Sequence, residues 1–168
     1  SSSGRVGIGL VGSGFMGRAH AFAFNAVAQI FDLPLKPELM VLADQNEALA
    51  AEAARRLGFA RSVSDWRLLV EDPAVDVVSI TTPNHLHKPI ALAALAAGKA
   101  VYCEKPLAAS LEDAREMADA ARASGRVTLV GFNYLKNPIV GLAHEIVASG
   151  EIGEVVSFRG IHAEDYMT

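Results

Sequence analysis

A single cysteine, Cys103, is all the chain offers for sulfur chemistry. That excludes an internal disulfide and a cysteine-based metal cluster, and makes a reducing cytoplasm the expected compartment. Basic residues are also in short supply, with 15 Lys and Arg against 19 Asp and Glu and a net charge of −4. No cationic excess is left to neutralise phosphates, so nucleic acid is not an expected partner. There is no run of about 18 uncharged apolar residues of the kind that spans a bilayer. The closest stretch, 19–33, contains His20, Asn25, Gln29 and Asp32 and reads as a soluble helix, so no membrane partner is expected either. Internal repeats of about 20–50 residues are absent, which excludes solenoids and propellers.

What the chain does have is apolar. Of its 168 residues, 51% are hydrophobic, and the mean hydropathy of +0.27 excludes a disordered chain. A chain this long buries roughly 70% of its unfolded surface, enough for one core and the beginning of another domain. Ser1-Ser2-Ser3-Gly4 lacks an initiator Met, reads as an expression remnant, and is left out of the fold reading.

The apolar residues are organised as strand, loop, helix, repeated. Residues 6–11 form a short run that fits a strand buried on both faces. A helical pattern follows over 15–29, then a loop over 31–38 with Pro34 and Pro37, and a second strand over 39–43. An Ala-rich helix over 47–57 ends at Gly58, and a short helix to Val70 starts from Ser64 as its expected N-cap. Residues 75–80 and 100–103 read as strands on either side of a helix over 88–97 closed by Gly98. Ser110 with Asp113 resembles a capping box for a helix to Ser124, followed by Gly125 and a strand over 128–132. Alternation at this spacing implies βαβ units and a doubly wound, mainly parallel sheet. A helix over 139–148 and a strand over 155–159 complete the expectation. A strand begun so late suggests a longer protein of which this is the first domain and the start of a second, α+β one.

Gly12-Ser13-Gly14-Phe15-Met16-Gly17 matches G-x-G-x-x-G between the first strand and the first helix. Gly12 permits the tight turn, Gly14 lets the backbone approach a pyrophosphate, and Gly17 lets the helix pack against the sheet. The helix N-terminus offers N–H groups and the positive end of its dipole to the phosphates. Order in the chain makes the pattern specific, because strand, loop, helix and second strand all fall in place. Asp44 ends the second strand, somewhat farther on than the usual roughly 20 residues, and the Pro-containing loop accounts for the excess. Its carboxylate would accept hydrogen bonds from ribose hydroxyls and repel a 2′-phosphate. Gln45 and Asn46 follow with no cation, so NAD is favoured over NADP. The plainer alternative makes Asp44 a helix cap.

Thr82-Pro83-Asn84-His85-Leu86-His87 follows the fourth strand, and Glu104-Lys105-Pro106 follows the fifth. Both loops lie at the carboxyl ends of parallel strands, where open α/β sheets bind ligands. With the glycine loop and His20, they resemble the glucose-fructose oxidoreductase/inositol dehydrogenase/MocA family over nearly the whole stretch 6–159. The resemblance implies a Rossmann-type NAD-binding domain over 5–137, and over 138–168 the beginning of a substrate and oligomerisation domain. It implies a dehydrogenase that oxidises a secondary alcohol of a sugar or polyol, assembled as a homo-oligomer. Lys105 is then the catalytic lysine, lying between nicotinamide ribose and substrate hydroxyl, often on a cis Lys-Pro bond. An ammonium there stabilises charge developing on the alcohol oxygen and orients it. Thr82, Pro83, Asn84, His87 and Glu104 join Gly12–Gly17 and Asp44 as cofactor-side residues, with Glu104 holding the loop or Lys105 itself.

Asn133, Tyr134 and Lys136 are the expected substrate-side residues. Their segment reads Asn-Tyr-Arg-Phe-x-Pro in many relatives, whereas here Leu135 replaces the Arg and Lys136 the Phe. His85 and His87 lack companions at metal-ligand spacing, so no metal is expected. His20 reads as a core or supporting residue, and Trp66 either covers adenine or packs in the core. The Asp and His acid/base pair of the family does not occur between Glu151 and Thr168. His162, Glu164 and Asp165 read instead as the start of the substrate domain, so this stretch alone is expected to bind cofactor without turnover. Two other readings compete: a cofactor-binding regulatory module without chemistry, and a glycosidase working through transient oxidation by tightly held NAD.

Overall fold

The computed structural model describes residues 4–161 and 163. Six parallel strands form one sheet: β1 (Arg5–Val11), β2 (Lys36–Ala43), β3 (Arg61–Val63), β4 (Val77–Ile80), β5 (Ala100–Cys103) and β6 (Thr128–Val130). Their spatial order is β3-β2-β1-β4-β5-β6, so the chain winds outward from β1, returns, and winds outward the other way from β4. The doubly wound Rossmann architecture is therefore present, with its switch point between β1 and β4.

The central strands β1, β2 and β4 are buried on both faces because helices cover both, while the edge strands β3 and β6 stay partly exposed. On one face, Ile8, Leu10, Leu39 and Leu42 pack with Ala21 of α1 (Phe15–Ile30) and Ala50 and Ala54 of α2 (Glu47–Leu57). On the other face, Val11, Val41, Val78 and Ile80 pack beneath α3 (Trp66–Val70), α4 (His87–Ala96) and α5 (Leu111–Ser124). The strict alternation of β2 is broken once. Ile8 pairs Leu39 but Gly9 pairs Val41, so Met40 is an extra residue that shifts the register.

Several details differ from the sequence reading: β4 begins at Val77, not 75, and β6 ends at Val130, not 132. β2 begins at Lys36, not 39, because Arg5 and Val6 of β1 supply ladder partners for its polar first residues. β3 was not expected; its three residues pair with Val41–Ala43 and are too short to show a period. Asp65, not Ser64, caps α3, its Oδ1 accepting from Arg67 N at 2.9 Å. Residues 155–159 form no strand, since no neighbouring strand among the described residues offers them hydrogen bonds.

The chain divides into two compact units between Gly131 and Phe132, rather than between Asn137 and Pro138. A 3₁₀ turn (Asn133–Lys136) runs straight into α6 (Pro138–Ala148), so turn and helix share the second unit. Asn137 caps α6, its Oδ1 accepting from Ile139 N at 2.9 Å. His162, Glu164 and Asp165 lie outside the described residues. No described helix is long and apolar enough to cross a membrane.

Candidate dinucleotide site

The site grows from the switch point. Gly12 leaves β1 with φ +100°, and a Cβ there would lie 2.9 Å from Thr81 O. Its N–H donates to Ala43 O at 2.9 Å, while the Thr81 hydroxyl lies 3.0 Å from both Val11 O and Gly12 O. Gly17 packs still closer: a Cβ would fall 2.0 Å from Gly12 O, so any side chain would lift α1 off the turn. Gly14 is the opposite case. A Cβ there would meet nothing within 4 Å, which leaves open space against bare backbone.

That open space faces the amino end of α1, and the end is left free. Asn46, Asp65 and Ser110 cap α2, α3 and α5 with side-chain oxygens. The N-cap of α1 is Gly14, with no side-chain bond and no acid in the first turn. Its orphan N–H groups and dipole are therefore available to an anion. Phe15 and Met16 reach solvent beside it, while Gly17 is buried.

Asp44 stands at the end of β2 against this loop. Its Oδ2 accepts from Ser13 N at 3.0 Å and from Ser13 Oγ at 2.6 Å. Its Oδ1 accepts from Asn46 N at 3.3 Å. Burial pulls the carboxyl upward, yet the bonds from Ser13 and Asn46 together outweigh it and hold the group below the ordinary 3.8. The cap of α2 is Asn46, not Asp44.

Beyond Asp44 lies a cleft of about 230 Å³ lined by Val11, Gly12, Gln45, Trp66, Thr82 and Pro83, among others. Thr82 Oγ1 is buried there without a hydrogen-bond partner among the described residues. Trp66 presents an apolar wall, with the Arg67 guanidinium 4.5 Å from its ring centroid. A flat aromatic base would suit this space, which holds both an apolar wall and a hydroxyl without a partner.

The other end of the site is built on β4 and β5. Asn84 opens a 3₁₀ turn (Asn84–Leu86) that leads directly into α4. His87, 1% exposed, lies with Nδ1 3.0 Å from Pro106 O and Nε2 2.9 Å from Thr82 O. Both carbonyls only accept, so a ring carrying one N–H donates to one of them and lies against the other, between the β4 loop and the β5 loop. Among the described residues, no three His, Cys, Asp or Glu side chains converge as a metal would require. Glu104 is buried, with Oε1 3.0 Å from His20 Nε2 and Oε2 accepting from Lys105 N at 3.0 Å. The Lys105-Pro106 bond is cis, and the Lys105 side chain is exposed. Burial, together with the Glu104 charge, pushes the Cys103 thiol up to about 12, so it is no nucleophile. Asn133, Tyr134 and Lys136 belong to the second unit, all three in its 3₁₀ turn.

Sequence reasoning missed the Ser13–Asp44 bonds and the depth at which His20 and Glu104 meet. One signal was available: Ser79 is a lone hydroxyl in the otherwise aliphatic strand Val77–Ile80.

A ligand complementary to all of this carries a diphosphate at its middle, a ribose beside Asp44 and a base beyond it. The first unit is, as a class, a dinucleotide-binding Rossmann domain. Its residues 6–132 match the family model described as an oxidoreductase family with an NAD-binding Rossmann fold, and the chain belongs to this Gfo/Idh/MocA family. Levoglucosan dehydrogenase of Pseudarthrobacter phenanthrenivorans is 48% identical over 96% of the chain and 42% of its own length. Inositol 2-dehydrogenase of Rubrobacter xylanophilus is 37% identical over 95% of the chain and 44% of its own length. Among solved structures, an NAD-binding oxidoreductase from Klebsiella pneumoniae superposes with a TM-score of 0.86 at 56% identity, covering 89% of this chain and 40% of that one. A levoglucosan dehydrogenase complex with NADH and levoglucosan gives 0.86 at 48% identity, with the same coverage. The chain thus spans about two fifths of the length of these relatives.

Proposed function

We propose that the whole protein is an NAD-dependent dehydrogenase that oxidises a secondary alcohol on a cyclic sugar or polyol. NAD, when bound, supplies the hydride acceptor. The residues of this chain hold that cofactor and orient the alcohol. The Gly12–Gly17 turn and the amino end of α1 hold the diphosphate, because their N–H groups converge on open space. Asp44 accepts hydrogen bonds from the adenosine ribose and, with no cation at residues 45 and 46, disfavours a 2′-phosphate. Trp66, Thr82 and Pro83 enclose the adenine.

Lys105 is the catalytic residue of the reading. Oxidising a secondary alcohol removes a hydride from carbon and a proton from oxygen. An ammonium beside that oxygen stabilises the negative charge that develops as the proton leaves. As an ammonium it has no lone pair to accept a proton, so it orients the hydroxyl, and the proton passes to the acid/base pair expected of the substrate domain. Asn133, Tyr134 and Lys136 are proposed to touch the sugar; Leu135 and Lys136 make that surface unlike the Arg-Phe pattern common among relatives. The substrate class is supported by the names of the relatives, since levoglucosan and inositol are both ring compounds rich in secondary hydroxyls.

The observation that carries the reading is the placement of Lys105. It follows β5 at the same sheet edge as the glycine turn, where merely holding a nucleotide would require no lysine. The test is a panel of anhydrosugars, sugars and inositols with the full-length protein and NAD, followed by NADH absorbance. Lys105→Met is expected to lower kcat by about 10²–10³-fold while NADH still binds. Full turnover by that variant would refute the role given to Lys105.

A further inference from the structure

Three polar side chains lie sealed inside the first unit, where apolar ones would have packed at lower cost. Ser79, His20 and Glu104 are 0%, 7% and 6% exposed. His20 lies one turn beyond Gly17 on the buried face of α1, with Nδ1 2.8 Å from Ser79 Oγ and Nε2 3.0 Å from Glu104 Oε1. Tyr102 stacks on the ring at 4.6 Å, and Phe24 meets it edge-on at 6.5 Å. Gly131 closes the far side, since a Cβ there would sit 2.6 Å from Glu104 Oε1. Burying such groups is unfavourable unless every one is satisfied.

With one N–H on the ring, a single arrangement of protons satisfies them all. A carboxylate only accepts, so His20 Nε2–H donates to Oε1 and Lys105 N–H donates to Oε2. Ser79 O–H then donates to His20 Nδ1. The chain of bonds runs from Ser79 on β4, through His20 on the helix whose amino end would face the diphosphate, to the backbone of Lys105. On the far side of that residue, the His87 ring lies against the carbonyl of Pro106.

We infer that His20 is a positioning residue for Lys105, acting through Glu104, and that it ties the diphosphate-binding helix to the loop bearing the lysine. The inference rests on the role proposed for Lys105. Glu104 is buried and each of its oxygens already accepts a bond from within the unit, so this carboxylate serves the loop.

The test uses the full-length enzyme with His20→Leu, His20→Gln, Glu104→Gln and Lys105→Met. Displacing a reactive group by about 1 Å costs on the order of 10²-fold in rate, so His20→Leu is expected to lower kcat by about that factor with NADH affinity unchanged. His20→Gln carries an amide N–H that reaches Glu104 and is expected to restore most of the rate. The spectroscopic signature is the tautomer of His20 in ¹⁵N spectra. Wild type holds the proton on Nε2. In Glu104→Gln the amide oxygen must keep facing Lys105 N–H, so its NH₂ faces His20, and the ring proton moves to Nδ1 and donates to Ser79 Oγ.

A folded His20→Leu or His20→Gln enzyme in which loss or retention of the Glu104 bond leaves kcat alike would overturn the inference. So would an unchanged His20 tautomer in Glu104→Gln. Lys105→Met separates the two readings: wild-type turnover there removes the catalytic role of Lys105. The tautomer reversal, measured without substrate, still decides whether Glu104 is shared between His20 and that backbone.

Discussion

Strand β1 and helix α6 are built from the same kinds of residue and meet opposite fates. Ile8 and Leu10 are essentially inaccessible, whereas Ile139 is 72% and Leu142 is 53% exposed. Within the second unit only Ile146 is even half-buried among the described residues. The difference lies in what surrounds each element. A six-stranded sheet gives every strand two faces to cover, and five helices cover them. The capped helix α6 has one apolar side, and beyond the 3₁₀ turn that leads into it no described element of its own unit lies against it. Apolar composition supplies a tendency to bury; neighbours supply the burial.

The contrast can be broken most severely at Gly17. Gly17→Val would drive a side chain into Gly12 O, and is expected to abolish NADH binding and destabilise the first unit by about 3–5 kcal/mol. A urea titration followed by the single tryptophan, Trp66, reads that unit directly. Next comes Leu42→Ala, which empties part of the core beneath α1 and α2 and is expected to cost about 2–5 kcal/mol. Asp44→Ala removes three accepted hydrogen bonds. It is expected to weaken NADH binding by about tenfold, the scale of a bond to a charged group, and to narrow the margin over NADPH, by parallel fluorescence titrations. The same acid sharpens the comparison with pH. Its folded pKa is lowered, so its contribution to stability is complete above the unfolded value near 3.8 and is lost as pH falls below it. Asp44→Asn is therefore expected to flatten the acid limb of the stability curve relative to wild type. The smallest effect belongs to the second unit: Ile139→Ala should stay within about 0.5 kcal/mol and leave the Trp66 midpoint where it was.

The first unit was legible in the sequence wherever a local rule acts. The aliphatic runs of β1, β4 and β5 mark strands buried on both sides, and Gly12, Gly14 and Gly17 mark the turn. Gly58 and Gly125 stop their helices with positive φ of 87° and 61°. Failures came where a partner decides. Lys36 to Glu38 look like loop until Arg5 to Gly7 pair with them. Arg61 to Val63 is too brief to announce itself, while 155–159 has the β-branched content of a strand and no ladder to join. In the site, the individual residues were readable but their partnerships were not. His20 and Glu104 are 84 positions apart, and nothing in either neighbourhood says that they touch. Likewise Asp44 was read as awaiting a ribose, with no hint that Ser13 already engages it.

That engagement changes what any newcomer finds at the end of β2. A donor arriving at Asp44 does not meet a bare anion, since Ser13 already occupies one carboxylate oxygen and Asn46 the other. What it gains is the small difference between similar bonds, whether it adds to those present or replaces one. Residue 13 thus sets how much of the carboxylate is open, and trading its hydroxyl for hydrogen would free one acceptor site without altering the acid itself.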